Sequence, residues 1–214
     1  MILKVVLLLI FIVVVESFRP IFFNGLSALL KRSPKSQEAS TSIIKSTIIE
    51  KAQGTSNGVK ASSEIKKEIL ELTKQLEKVN SIPNIAADPR NDGLWELVYT
   101  SSNSSSAGKL GPFVGYVTQS IDLKSKLYLN KVDLFNGLVV ADLQATWNVE
   151  SSKKWIVKFL KIQFYLAGVK VLSKPFSANG TWRFTYIDDD LRVLYTLGGR
   201  NNVSENLFIL KKLK

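Results

Sequence analysis

The sequence predicts a mainly β protein: an antiparallel β-barrel of about eight strands preceded by a helical hairpin. A change of rhythm carries that expectation. Between Thr41 and Val79 apolar residues recur at three- and four-residue steps, the period of a helix face. After Gly93 they recur at every second residue, the period of a strand half-buried on one face. Turn signals add a further observation. Asn136-Gly137, Asn179-Gly180 and Asp188-Asp189-Asp190 punctuate the second part, with no helical run between them.

The first element is an address. An unbroken apolar run from Val5 to Val15 follows Lys4, shorter than the ~20 residues of a membrane-spanning helix. With Val15-Glu16-Ser17 behind it, residues 1–17 read as a secretory signal peptide, a short signal anchor being the alternative. Phe18 to Gln37 contains Arg19, Lys31, Arg32 and Lys35, no acidic residue, and Ser27, Ser33 and Ser36. That is transit-peptide composition, so residues 18–40 are expected to act as a transit segment. A signal followed at once by Phe and such a segment is similar to the bipartite presequence of algae with secondary plastids. A plastid destination is therefore expected. The sequons at Asn103, Asn179 and Asn202 keep a secreted protein with a basic tail as the alternative.

The helical hairpin spans residues 41–80. Thr41 to Gln53 places Ile43, Ile44, Thr47, Ile48 and Ala52 at helical spacing and stops at Gly54. A Gly54-to-Gly58 loop follows, and Ser62 or Ser63 offers the next N-cap, with Glu64 in the first turn. Ile65, Ile69, Leu72, Leu76 and Val79 then form one apolar stripe opposite Lys and Glu. Pro83 and Pro89 mark a linker. The barrel is expected over residues 93–214. Its strands begin with Trp95–Thr100, Val117–Leu123, Lys126–Leu134 and Leu138–Val149. Trp155–Phe164, Thr181–Ile187, Leu191–Leu197 and Asn206–Leu213 complete the set.

Composition limits the chemistry. The 214 residues include no cysteine and no histidine, which removes disulfides, thiolate and imidazole metal sites, and His-dependent triads. No catalytic residues, metal ligands or cofactor are expected. Lys and Arg number 29 against 18 Asp and Glu, a net charge of +11. Lys153, Lys154, Lys158, Lys161, Lys170 and Lys174 form the densest basic stretch: a solvated face, or a docking face for anionic lipid. Lysines and aromatics do not interleave in a nucleic-acid-binding motif, so no nucleic-acid partner is expected. Asp188-Asp189-Asp190 lacks the alternating spacing, glycine and distal glutamate of a calcium loop and is read as a hairpin turn.

Several segments, in order, resemble the plastid lipid-associated protein family, the plastid fibrillins, from about Ile43 to Lys212. They are the hairpin loop from Ile48 to Gly58, the helix Ser62–Asn80, and Gly93-Leu-Trp95-Glu-Leu97-Val-Tyr99-Thr100. Gln119-Ser-Ile121-Asp122 with Asn130, Thr185 to Val193 and Asn206 to Lys211 follow. A second arginine common in the family after the Leu191-Arg192-Val193 segment is missing near Tyr195, and the turn from Gly198 to Glu205 is longer. The resemblance implies a lipocalin-like barrel that binds carotenoids, prenylquinones or fatty acids without catalysis. It also implies association with plastid lipid droplets (plastoglobules) or thylakoid membranes.

The residues expected to line such a cavity are Trp95, Tyr99, Trp147, Trp155, Phe159, Trp182 and Phe184, with Arg192 as the polar anchor. Each aromatic also serves as core, and Arg192 could instead pair with Asp122 or Asp142 to pin the barrel. Two other functions stay open. A barrel isomerase or cyclase acting on a terpenoid or quinone precursor would use Asp122 or Asp142. A scaffold would recruit a protein partner, such as a lipid-biosynthetic enzyme, through the hairpin stripe from Ile65 to Val79.

Overall fold

The barrel is closed by hydrogen bonds around its full circumference, and helical residues 44–52 and 63–79 lie against its outer wall. The structure is a computed structural model and describes residues 34–198 and 205–213. The signal-peptide reading and residues 18–33 of the transit segment lie outside the described residues, as do residues 199–204. The chain divides into two units, Met1–Ile43 and Ile44–Lys214.

Helix α1 (Pro34–Ala52) begins earlier than the expected Thr41, and its proline sits in the first turn, where the missing N–H is harmless. Helix α2 (Ser63–Val79) follows the expected bounds, and the Ser62 hydroxyl caps it by accepting from the Ile65 N–H. Between the helices the Gly54–Gly58 loop turns tightly. Asn57 donates its side-chain amide to the carbonyls of Ala107 and Gly115, and its own carbonyl accepts from Thr100. The loop is thus stitched to the barrel.

Ten strands follow. They are β1 (Gly93–Thr100), the two-residue β2 (Lys109–Leu110) and β3 (Phe113–Val114), β4 (Tyr116–Asp122) and β5 (Leu127–Leu134). The second half comprises β6 (Val139–Ser151), β7 (Lys154–Leu166), β8 (Val169–Ile187), β9 (Leu191–Gly198) and β10 (Asn206–Lys212). Eight of them close antiparallel in the order β1-β10-β9-β8-β7-β6-β5-β4, while β2 and β3 pair apart. Closure leaves no unpaired strand at the barrel's seam.

One expected turn is corrected. Asn179-Gly180 is not a turn; it lies inside β8, and the chain reverses at Ala167-Gly168 instead, where both residues have positive φ. The strand expected from Thr181 therefore begins at Val169. The linker with Pro83 and Pro89 also does more than connect. Its two short 3-10 turns, Ile85–Ala87 and Pro89–Asn91, place Ile85 and Ala86 in the barrel's interior cluster. Trp155 Nε1 donates to the Ala86 carbonyl at 2.8 Å and Trp95 Nε1 to the Asn91 carbonyl at 3.1 Å. This segment plugs the end where β1 begins, the end that also carries the β4–β5 and β8–β9 turns.

Burial falls into two layers. The interior cluster contains Trp95, Leu97, Val117, Ala145, Trp155 and Phe184, among others. The second lies under the helices, where Ile48, Ile69 and Leu76 meet Tyr186, Val193 and Ile209 on the outer wall of β8, β9 and β10. The α2 stripe packs on the protein's own barrel, with Ile69 and Leu76 buried and Ile65, Leu72 and Val79 partly buried.

Candidate functional site

Strand alternation decides which side chains point inward. On β9, Arg192 and Leu194 share the interior face, while Leu191 and Val193 lie beneath the helices. Arg192 is wholly buried. It sits across from Leu210 on β10 and Ile187 on β8, both members of the interior cluster.

No carboxylate meets it among the described residues. Arg192 Nη2 donates to Gln119 Oε1 at 2.9 Å, and its guanidinium lies 4.5 Å from the centroid of Trp95. Nε and Nη1 are buried and make no hydrogen bond within the protein. Burial pushes the Arg192 guanidinium down to about 9. Tyr128 is equally enclosed, and burial drives its phenol far above the usual tyrosine range. Lys212 adds a second cation at this end, its Nζ also 4.5 Å from the Trp95 ring and donating to the Arg90 and Asp92 carbonyls. Burial and then the Arg192 charge lower Lys212 below the ordinary lysine value. Two cations therefore lie over one indole, with the Gln119 amide oxygen bonded to Arg192.

The expected carboxylate partners are elsewhere. Asp122 is exposed in the β4–β5 turn, where the Ser125 hydroxyl and the Ser125 and Lys124 N–H groups hold it below the ordinary carboxylate value. Asp142 follows Ala141 on β6 and so lies on the outer wall, opposite Lys131; burial raises its carboxyl. Neither pins the barrel through Arg192, and neither faces the interior as the acid–base chemistry would need.

Trp95, Trp147, Trp155, Trp182 and Phe184 join the interior cluster, with Phe159 half-buried against it. Trp147 stacks on Trp155 at 4.4 Å, Phe184 meets Trp155 edge-on at 4.7 Å, and Tyr128 meets Trp182 edge-on at 4.8 Å. Tyr99 is corrected. The β1–β10 register shifts between Leu97 and Tyr99, so Val98 is an extra residue and Tyr99 turns outward beneath the helices. Two polar residues of the site, Gln119 and Tyr128, were missed. Both stand on strands whose alternation placed them inward, beside Val117 and Val132. Asp188 of the aspartate turn accepts from Lys45 at 2.7 Å and from the Tyr186 hydroxyl at 2.6 Å, tying α1 to the barrel.

The family model described as PAP_fibrillin matches residues 42–211. The light-induced chloroplastic proteins of Solanum demissum and Solanum tuberosum are each 33% identical over 156 residues, covering 68% of this chain and 46% of theirs. A probable plastid-lipid-associated protein 3, chloroplastic, of Arabidopsis thaliana is 32% identical over 113 residues, covering 50% of this chain and 30% of its own. The chain thus spans less than half the length of these relatives.

Proposed function

This chain belongs to the PAP_fibrillin family, and from that premise we propose that it is a plastid lipid-associated protein whose barrel binds a small hydrophobic molecule by a polar head. The relatives' names supply the plastid and the lipid. The presequence read in residues 1–40 fits the same destination, and its bipartite form fits a secondary-plastid alga, with plastoglobules or thylakoids as the site of action.

Arg192 carries the reading. A buried guanidinium with two unpaired donors is among the costlier arrangements in a fold, and a carboxylate or carbonyl head would satisfy it. The aromatic wall around it suits an apolar body. Among carotenoids, prenylquinones and fatty acids, the ionised head of a fatty acid matches the charge best. Binding is favoured over catalysis because Asp122 and Asp142 both lie outside the interior.

The test is ligand capture. The protein is incubated with a total plastid lipid extract, repurified, and its retained molecules are identified by mass spectrometry. A stoichiometric lipid is expected on the wild type and at least tenfold less on Arg192→Gln. Thermal stability of the variant should be unchanged or higher, because an uncompensated buried charge has been removed. Equal loading of both proteins would overturn the assignment of Arg192.

A further inference from the structure

Strand β8 runs past the described end of β9. Strand β9 pairs with β8 only over Gly180–Ile187, whereas β8 begins at Val169. Residues 169–177 are all exposed, and the described strand that pairs with them is β7. At the end opposite the plug, this stretch of β8 forms an edge arm among the described residues, backed by β7, which pairs on its other side with β6 from Val139 to Gln144.

This edge arm is apolar where solvent would favour polar residues. Leu166, Val169 and Val171 are 51%, 66% and 58% exposed. The register sets Leu166 opposite Val169 and Phe164 opposite Leu172. Phe164 packs on the interior cluster, so this face continues the barrel's inner wall outward. Beside it, the Ala167 N–H donates to the Leu138 carbonyl, and the β5–β6 turn exposes Phe135 and Leu138. Phe135 meets the exposed Phe113 edge-on at 5.1 Å. An open cleft of about 530 Å³ lies here, with Lys60, Phe113, Tyr116 and Phe135 in its walls.

Charge separates the β7–β8 hairpin from the rest, with Lys153, Lys154 and Arg183 toward the plugged end and Lys161, Lys170 and Lys174 toward the other. Residues 151–187 contain seven basic residues and no acidic one, whereas the rest of residues 61–214 holds 14 basic and 15 acidic. The excess positive charge of the folded body thus lies on the hairpin. Lys158, Lys161, Lys170 and Lys174 take part in none of the ion pairs among the described residues.

We propose that this arm, with the Phe113–Phe135 rim, is the face that seats the protein on an anionic lipid surface, the apolar side chains entering the acyl region and the lysines resting on the headgroups. The proposal rests on the lipid-associated reading above and says where that association occurs. Apolar side chains flanked by unpaired lysines are the pattern of an interfacial anchor, which needs both terms. A second copy fits less well: two arms of the same charge repel, and Pro175, Lys170 and Lys174 blunt the strand edge that a copy would extend. Seated so, the barrel's unplugged end faces the lipid.

The absence of cysteine permits a local test on the full chain. Val169→Cys and, as a control at the plugged end, Lys124→Cys are labelled with an environment-sensitive fluorophore. Vesicles of neutral phosphatidylcholine, with or without anionic phosphatidylglycerol, are added. Emission from position 169 should shift to the blue and be quenched by a lipid-borne quencher with anionic vesicles, while position 124 stays unchanged. Each lysine near such a surface strengthens partitioning roughly fivefold, so exchanging Lys158, Lys161, Lys170 and Lys174 for glutamine should weaken it by about a hundredfold or more. A Leu166→Ser, Phe135→Ser double variant should lose the shift while keeping the wild-type circular dichroism.

Vesicle flotation with no change at position 169 would overturn the arm while leaving lipid association intact. Equal shifts at both positions, or a shift at 169 driven by protein concentration without vesicles, would overturn it in favour of non-specific adsorption or self-association. Arg192→Gln should keep the full shift, so failure of the interior site and failure of the docking face are read separately.

Discussion

At the scale of single residues, Arg192 illustrates how a charge can be placed where the fold gains nothing from it. A base whose folded pKa lies below its unfolded value costs stability while it stays protonated, and that cost fades as pH rises through the folded value. With Arg192 pushed down to about 9, the ligand-free wild type should gain stability relative to Arg192→Gln as pH rises from 8 to 10.5. Paired thermal melts would show the gap narrowing in that window; a constant gap would mean that the group does not titrate there. Binding of a carboxylate should weaken over the same window, because its cation is being lost. Tyr99 makes the complementary point. Its aromatic character was plain from the chain, but one extra residue at Val98 reverses its side. Alternation reads direction only while the ladder is unbroken.

The elements were read more securely than their edges. Helix α2 and its serine cap follow from local spacing, since hydrogen bonds three or four residues apart hardly depend on the remainder of the fold. The lower half of β8 did not, because Pro175 and Asn179-Gly180 are breakers in an isolated peptide. They are tolerated here: Pro175 lies at a register shift in the arm, where β7 supplies the pairing. The helix-joining loop shows the same dependence on context. Gly54 has φ +74° with open space around its α-carbon. Gly58 has φ +93°, and a β-carbon there would stand 2.3 Å from the Thr100 carbonyl oxygen. Gly54→Ala should therefore cost about 1 kcal/mol and Gly58→Ala at least twice as much in urea denaturation. Equal costs would mean that the loop does not press on β1.

At the largest scale, the unit from Ile44 onward is a barrel plugged at one end and covered by helix on one side. The plug of Ile85 and Ala86 bonds to the interior tryptophans, and the helices cover β8, β9 and β10. Because Ile69 is buried between helix and barrel wall, Ile69→Ala should cost about 2–5 kcal/mol. It should also lower the melting temperature of the entire barrel, with near-ultraviolet tryptophan signal and far-ultraviolet signal falling together. Separate transitions would show that the helices unfold independently of the barrel.

Local pattern alone determined the helical hairpin, the strand rhythm, the antiparallel class and the set of tryptophans, because period and turn chemistry act over a few residues. Tertiary structure decided which carboxylates Arg192 lacks, which way Tyr99 points, that a proline linker becomes a plug, and that β8 runs past the described end of β9. Those depend on register and closure between strands far apart in the chain, and a one-residue shift in either changes the face a side chain occupies.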